Sequence, residues 1–150
     1  RFYMQSYVVD QGYTLCDYVP GSALLTRTST FKLLDGLDAA YFAYYEEIDY
    51  CLRLAQLDLS VCFLNDSRVV HSVGSASSSL LKTYLKTRNK LYLFKNHTDG
   101  IWKYRFIFIF IVALQLGRSL FYPRQIAAVL KGVFDFLRGR MGKPNAGFFV

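Results

Sequence analysis

The chain has 150 residues, 53% of them hydrophobic and 17% aromatic, with a formal net charge of +7. That length is one domain's worth and can bury a core, and the apolar content excludes a disordered polyelectrolyte. Three scattered cysteines without a C-x-x-C pair, and two histidines, exclude a disulfide framework and a zinc module and point to a reducing compartment.

The charge is unevenly placed. Residues 21–66 hold three basic and seven acidic side chains, whereas residues 67–150 hold fourteen basic and two acidic ones. A basic second half calls for an anionic partner, a membrane surface or nucleic acid, or simply for solvated helix faces. The chain begins at Arg1 without an initiator methionine, so it reads as a piece of a longer protein.

In chain order, residues 1–13 carry no clear pattern. Leu15 to Val19 predicts a short strand, Pro20-Gly21 a turn, and Ser22 to Thr26 a short apolar segment. Gly21 lets backbone approach a ligand closely, or is an ordinary turn glycine. Thr28, Ser29 and Thr30 can cap a short helix that runs through Leu34 and stops at Gly36. Leu37 to Tyr45 is a loop rich in aromatic rings, which suit either sugar C–H faces or plain core packing.

The next helix carries Ile48, Cys51, Leu52 and Ala55 at i, i+3, i+4 and i+7, an apolar stripe. At about 100° per residue, Glu46 points away from that stripe and Glu47 lies at its border. A carboxylate at such a border can be partly desolvated and still reach a substrate, which suits a general base. The plainer reading is that acids in a first turn complement the helix dipole. Asp49 and Arg53 form an i, i+4 pair assigned to support of the helix.

Leu59 to Leu64 alternates as a strand, Asn65-Asp66-Ser67 is a turn, and Arg68 to His71 reads as a second strand. Gly74 to Ser79 is a small, polar loop. Leu80 to Phe94 predicts a helix with Leu81, Tyr84, Leu85, Leu91 and Tyr92 on its apolar side; Lys82, Lys86, Arg88 and Lys90 project elsewhere. His97 falls in a loop. Phe106 to Leu116 is nearly all apolar but shorter than the roughly 20 residues a bilayer span needs. Flanked by Lys103, Arg105 and Arg118, with Trp102, Tyr104 and Tyr122 nearby, it reads as an interfacial or re-entrant helix, or more plainly as a buried helix of a larger domain. Pro123 starts a last helix to about Leu137.

Gly36-Leu-Asp38, Tyr41-Phe42, Tyr45-Glu-Glu-Ile-Asp49 and Cys51-Leu-Arg53 resemble the central motif of family 2 glycosyltransferases, G-F-D-x-x-F-F-x-Y-x-E-D-x-D-x-x-x-R. The pattern is nearest to rhamnosyltransferases. Val19-Pro-Gly21-Ser-Ala23 with Leu25-Thr-Arg27 lies upstream of it; Val69-Val70-His71, Gly74-Ser75, and Tyr84 with Arg88-Asn89 lie downstream, so the likeness covers about residues 15–96. Asp135 to Gly142 resembles family tails. The usual Glu-Asp pair is Glu46-Glu47 here, one methylene longer at the second acid, the one the family uses as base.

The resemblance implies an α/β fold: the C-terminal portion of a GT-A (nucleotide-diphospho-sugar transferase) fold with a mixed sheet over residues 1–98, then a helical, membrane-associating tail over 99–150. It implies an inverting enzyme that moves a sugar from a nucleotide-sugar donor to a hydroxyl of a saccharide or lipid-linked acceptor in cell-surface polysaccharide synthesis. Glu47 is the expected base. Gly21, Tyr45, Glu46 and Arg88 are the expected substrate contacts, Arg88 through phosphate, and His71 is a ligand of Mg²⁺ or Mn²⁺. An Asp-x-Asp diphosphate site belongs to an upstream half of the family fold and does not occur in this sequence, so the chain alone is expected to be inactive. The expected location is the cytoplasmic face of the cell membrane, with no nucleic acid partner. The rival is a non-catalytic module that binds a membrane or nucleic acid through its basic, aromatic tail; no RNP, KH or zinc pattern supports the nucleic acid form.

Overall fold

In a computed structural model, residues 7–9, 12–70, 79–119 and 122–145 are described. The chain divides into two compact units: Arg1–Asp38 with Glu46–Val73, and Ala39–Tyr45 with Gly74–Val150. The boundary expected at 98/99 therefore moves. The long third helix belongs with the two that follow it, because its apolar side is covered by them.

The first unit holds a three-stranded sheet in the order β1 (Tyr7–Val9), β2 (Tyr13–Cys16), β3 (Val61–Leu64). Both pairings are antiparallel, with Val8 opposite Thr14 and Leu15 opposite Cys62. The chain is thus α and β, but among the described residues the sheet is antiparallel and not mixed. Strand β3 alternates half-buried and exposed residues, as a one-sided strand should. Residues 67–70 form no strand, and Val69 and Val70 are exposed, so the second strand predicted from Arg68 to His71 is absent as far as Val70.

A single 3₁₀ turn, Gly21–Ala23, leads to α1 (Thr28–Leu33). Its N-cap is Arg27, without a side-chain cap, and not one of the three hydroxyl residues that follow. Gly36 stops it: φ is +69°, its N–H donates to Phe31 O at 2.8 Å, and a Cβ there would lie 2.8 Å from the Phe31 ring. Only glycine meets both demands.

Helix α2 (Glu46–Ala55) buries Asp49, Tyr50, Cys51 and Leu54. This face is rotated from the predicted stripe: Ile48 and Leu52 are half-buried and Ala55 is exposed. Tyr50 takes the centre, sharing a hydrogen bond with the Thr26 hydroxyl at 3.0 Å and packing on Phe31. Arg53 pairs with Asp49 at 2.8 Å and donates to Leu34 O at 2.5 Å and Gly36 O at 2.8 Å. It satisfies carbonyls at the end of α1 that the helix itself leaves open.

The second unit is three helices: α3 (Ser79–His97), α4 (Ile101–Ser119) and α5 (Pro123–Leu137). His97 is the last residue of α3 and not part of a loop. Tyr84, Leu85 and Ala128 form one core cluster; Leu91, Ile111 and Phe136 form another. Helices α3 and α5 approach closely at Gly132, where a Cβ would stand 2.9 Å from Tyr84 O and 3.2 Å from Thr87 Cβ. The outer side of α4 stays uncovered, with Trp102, Phe106, Ile109 and Phe110 exposed. Among the described residues no helix is long and apolar enough to cross a membrane.

Candidate functional site

Glu46 and Glu47 open α2. Both are half-buried, and each has one oxygen, Oε2, that is buried without a hydrogen-bond partner. The helical wheel points Glu46 toward solvent, whereas the structure half-buries it. Burial pushes its carboxyl above the ordinary range; its own backbone N–H partly offsets this, and the neighbouring Glu47 charge adds to it. A buried carboxylate oxygen with no donor costs free energy on the order of 1–3 kcal/mol, so two of them side by side need an explanation. A ligand hydroxyl is one.

Gly21 lies against Glu47. A Cβ at Gly21 would sit 3.4 Å from Glu47 Cβ and 4.0 Å from Cδ, which is ordinary van der Waals contact. Below them, burial raises the Cys51 thiol, a hydrogen bond at the Val19 backbone opposes this, and the Glu47 charge adds to it. The first unit also holds an apolar groove of about 630 Å³ between Val19–Arg27, Tyr50, Leu54 and β3, which Glu47 does not line.

The other expected residues are elsewhere. Tyr45 belongs to the second unit, where it lines a cavity of about 390 Å³ with Lys82, Lys86 and Lys90. His71 lies outside the described residues, as do Gly74 and Ser75. Among the described residues no group of three or more His, Cys, Asp or Glu could hold a metal ion.

Arg88 needs correction. It is 1% exposed, and its guanidinium donates to Asn89 Oδ1 at 3.0 Å, Tyr84 Oη at 3.2 Å and Tyr41 O at 3.2 Å. These are groups of the chain itself, so the side chain is committed inward, away from any phosphate in solution. Asn89 reinforces it by donating to Tyr41 O at 2.8 Å, Ala43 O at 2.7 Å and Tyr44 O at 2.9 Å. What they grip is the aromatic loop, where Phe42, Tyr44 and Tyr45 all have φ between +64° and +77°. Non-glycine residues in this region cost on the order of 1–3 kcal/mol each and persist only when neighbours hold them. The Arg88-Asn89 dipeptide is that hold, and the strained loop ends where α2 and its carboxylates begin.

Three curated proteins are similar to this chain. The low-salt glycan biosynthesis hexosyltransferase Agl10 of Haloferax volcanii is 28% identical over 138 residues, 86% of this chain and 45% of that protein. The dTDP-rhamnosyl transferase RfbF of Shigella flexneri is 24% identical over 83% of this chain and 47% of its own length. The rhamnosyltransferase WbbL of Escherichia coli K12 is 36% identical over 58 residues, 39% of this chain and 22% of WbbL. This chain's distant homologues are glycosyltransferases. It spans about half the length of Agl10 and RfbF, and less of WbbL. No family model matches it, and no solved structure does.

In sequence, the lysines of α3 read only as part of the interleaved basic and aromatic run Lys82–Lys103 that could suit single-stranded nucleic acid. Lys82, Lys86 and Lys90 fall at i, i+4 and i+8, three cations on one helical face.

Proposed function

We propose that the chain is the C-terminal part of an inverting, family 2-like glycosyltransferase with a GT-A-type catalytic domain. The donor is a nucleotide sugar and the acceptor a saccharide or lipid-linked hydroxyl, in polysaccharide synthesis. The reading is carried by the buried, unpartnered Oε2 of Glu47 beside Gly21, in a chain whose distant homologues are glycosyltransferases. Glu47 takes the proton of the acceptor hydroxyl. That oxygen bonds to the anomeric carbon as the bond from carbon to the diphosphate oxygen breaks, and the nucleoside diphosphate leaves with the electron pair. Glu46, with its own open oxygen, accepts a second hydroxyl and orients the acceptor.

Mg²⁺ or Mn²⁺ with His71 belongs to the same reading, and would offset charge on the leaving diphosphate. The described residues do not by themselves assemble a site for it. The test uses the full-length protein with a panel of nucleotide sugars that includes the dTDP-rhamnose of the RfbF name. We expect transfer with one donor, loss on chelation with EDTA, and recovery with Mn²⁺. Transfer from none of the donors contradicts the enzymatic reading; transfer indifferent to EDTA contradicts the metal alone.

The exposed Trp102, Phe106, Ile109 and Phe110 of α4, with the exposed cations Lys103 and Arg105 between them, favour a peripheral seat on an anionic membrane, at its cytoplasmic face. Flotation with phosphatidylglycerol-rich vesicles should recover the protein, and Phe106→Ser with Phe110→Ser should abolish it. Equal flotation of that variant, or binding to an oligonucleotide and not to vesicles, contradicts the membrane seat.

A further inference from the structure

Helix α5 carries apolar side chains on two sides. One side, with Ala128, Val129 and Phe136, is buried in the helical unit. On the other, Leu130, Phe134 and Leu137 are exposed at i, i+4 and i+7, a single stripe along the helix. The turn that follows is basic and held in place. Its Gly139 N–H donates to Phe136 O at 3.0 Å, Arg140 N–H to Asp135 O at 2.8 Å, and Gly142 N–H to Ala40 O at 2.7 Å. The buried Arg88 reaches Arg140 O at 3.4 Å. From this turn the Arg138 and Arg140 guanidinium groups stand over one ring, Phe134, at 4.2 and 5.9 Å from its centre. Attraction to the ring keeps the two like charges close together.

Local acids do not neutralise the pair. Asp135 is the one acid between residues 131 and 143, against Lys131, Arg138, Arg140 and Lys143. Its buried carboxylate accepts from the Tyr84 hydroxyl and pairs with Lys131, while Arg140 stands off at 3.8 Å. The negative end of the helix dipole, about half a charge, offsets only part of the excess. Exposed cations therefore border an exposed apolar stripe. Charge selects among occupants. With fourteen basic and two acidic residues over 67–150, a second copy would set cation against cation. Nucleic acid would meet the guanidinium groups but leave Leu130 and Leu137 in water. An anionic bilayer meets both, with phosphates for the cations and the acyl boundary for the leucines.

The stripe also ends beside the exposed side chains of α4. Phe136 packs on Phe108 with ring centres 6.2 Å apart, and Phe108 on Tyr104 at 6.3 Å, so the end of α5 lies alongside the first two turns of α4. Those turns carry the exposed Trp102, Lys103, Arg105 and Phe106. We propose that the C-terminal end of α5 is a second membrane contact: Arg138 and Arg140 bind phosphate diesters of anionic phospholipids, while Leu130, Phe134 and Leu137 enter the acyl boundary. This rests on the membrane seat read from α4 and adds to it a helix and a headgroup site. Helices α4 and α5 then lie side by side in the headgroup layer.

The experiment is co-sedimentation of the protein with phosphatidylcholine vesicles, made with and without phosphatidylglycerol. Arg138→Gln with Arg140→Gln should lower partitioning onto the phosphatidylglycerol vesicles by about 30-fold, the worth of two basic residues near an anionic surface. The same variant should leave the weaker binding to phosphatidylcholine alone almost unchanged. Arg138→Lys with Arg140→Lys keeps the charge and should stay within a few-fold of wild type. Leu130→Ser with Leu137→Ser should weaken binding to both kinds of vesicle. All four positions are exposed, and circular dichroism checks that the variants fold. Unchanged phosphatidylglycerol binding in the glutamine variant, with binding lost in Phe106→Ser with Phe110→Ser, overturns the inference and leaves the α4 seat standing. A wild-type protein that binds neither vesicle overturns both. A dimer dissolved by Leu130→Ser with Leu137→Ser, or an oligonucleotide bound through Arg138 and Arg140 in place of vesicles, also overturns the inference.

Discussion

Arg88→Ala is expected to destabilise the helical unit by about 3 kcal/mol or more, read as lost hydrogen-exchange protection in α3 and α5. Two effects oppose each other. Removing a buried cation relieves a desolvation cost, which favours the variant. Against this, the guanidinium already makes hydrogen bonds to Tyr41 O, Tyr84 Oη, Asn89 Oδ1 and, at 3.4 Å, Arg140 O. Its desolvation is largely compensated, so the variant gains little, while it loses those bonds and opens a cavity.

The damage spreads through shared partners. The Tyr84 hydroxyl donates to Asp135 Oδ2 at 2.9 Å, and Lys131 and Arg140 also face that carboxylate. Asn89→Ala should cost somewhat less, about 2 kcal/mol, because Arg88 still reaches Tyr41 O. The double variant should fall short of the sum, since both residues hold the same carbonyl. An Arg88→Ala protein with wild-type protection would mean that Asn89 holds the aromatic loop without Arg88.

Glu47→Gln is expected to lower turnover by about 10²–10⁴-fold in the full-length enzyme, the usual worth of a positioned general base. Glutamine keeps the size of the side chain and one acceptor oxygen, but it cannot take a proton from the incoming hydroxyl. The fold should tolerate the change, because glutamine keeps the shape of the side chain and the buried Oε2 has no hydrogen-bond partner to lose. Stability should be equal to or slightly above wild type, which separates a chemical loss from a structural one.

Much of the fold was legible because periodicity and punctuation are local. Gly36 as a stop, Pro123 as a start, and the α3 and β3 segments all fall close to their predicted places. The i, i+4 ion pair of Asp49 and Arg53 forms as spacing predicts. What was not legible depends on distant partners. The wheel for α2 chose Ile48 and Leu52, whereas Tyr50 is buried because Thr26 and Phe31 receive it. Glu46 is polar and looked solvent-facing, yet its burial is a property of the surroundings.

Arg88 shows the same limit more sharply. A basic residue on an amphipathic helix reads as surface or as a phosphate contact, and nothing nearby in sequence reveals that Tyr41 O lies 47 positions away to receive it. The lysines beside it carry the opposite lesson: their spacing was visible, but the cavity they line needs α4 and α5 in place.

The proposed transfer depends on the carboxylate left open at the start of α2. The most direct measurement is kcat and KM for Glu47→Gln and Glu46→Gln, side by side, with saturating donor and varied acceptor. We predict that Glu47→Gln lowers kcat by at least about 10²-fold, and that Glu46→Gln acts mainly through acceptor KM. Near wild-type kcat in Glu47→Gln, with the protein folded, would contradict the account.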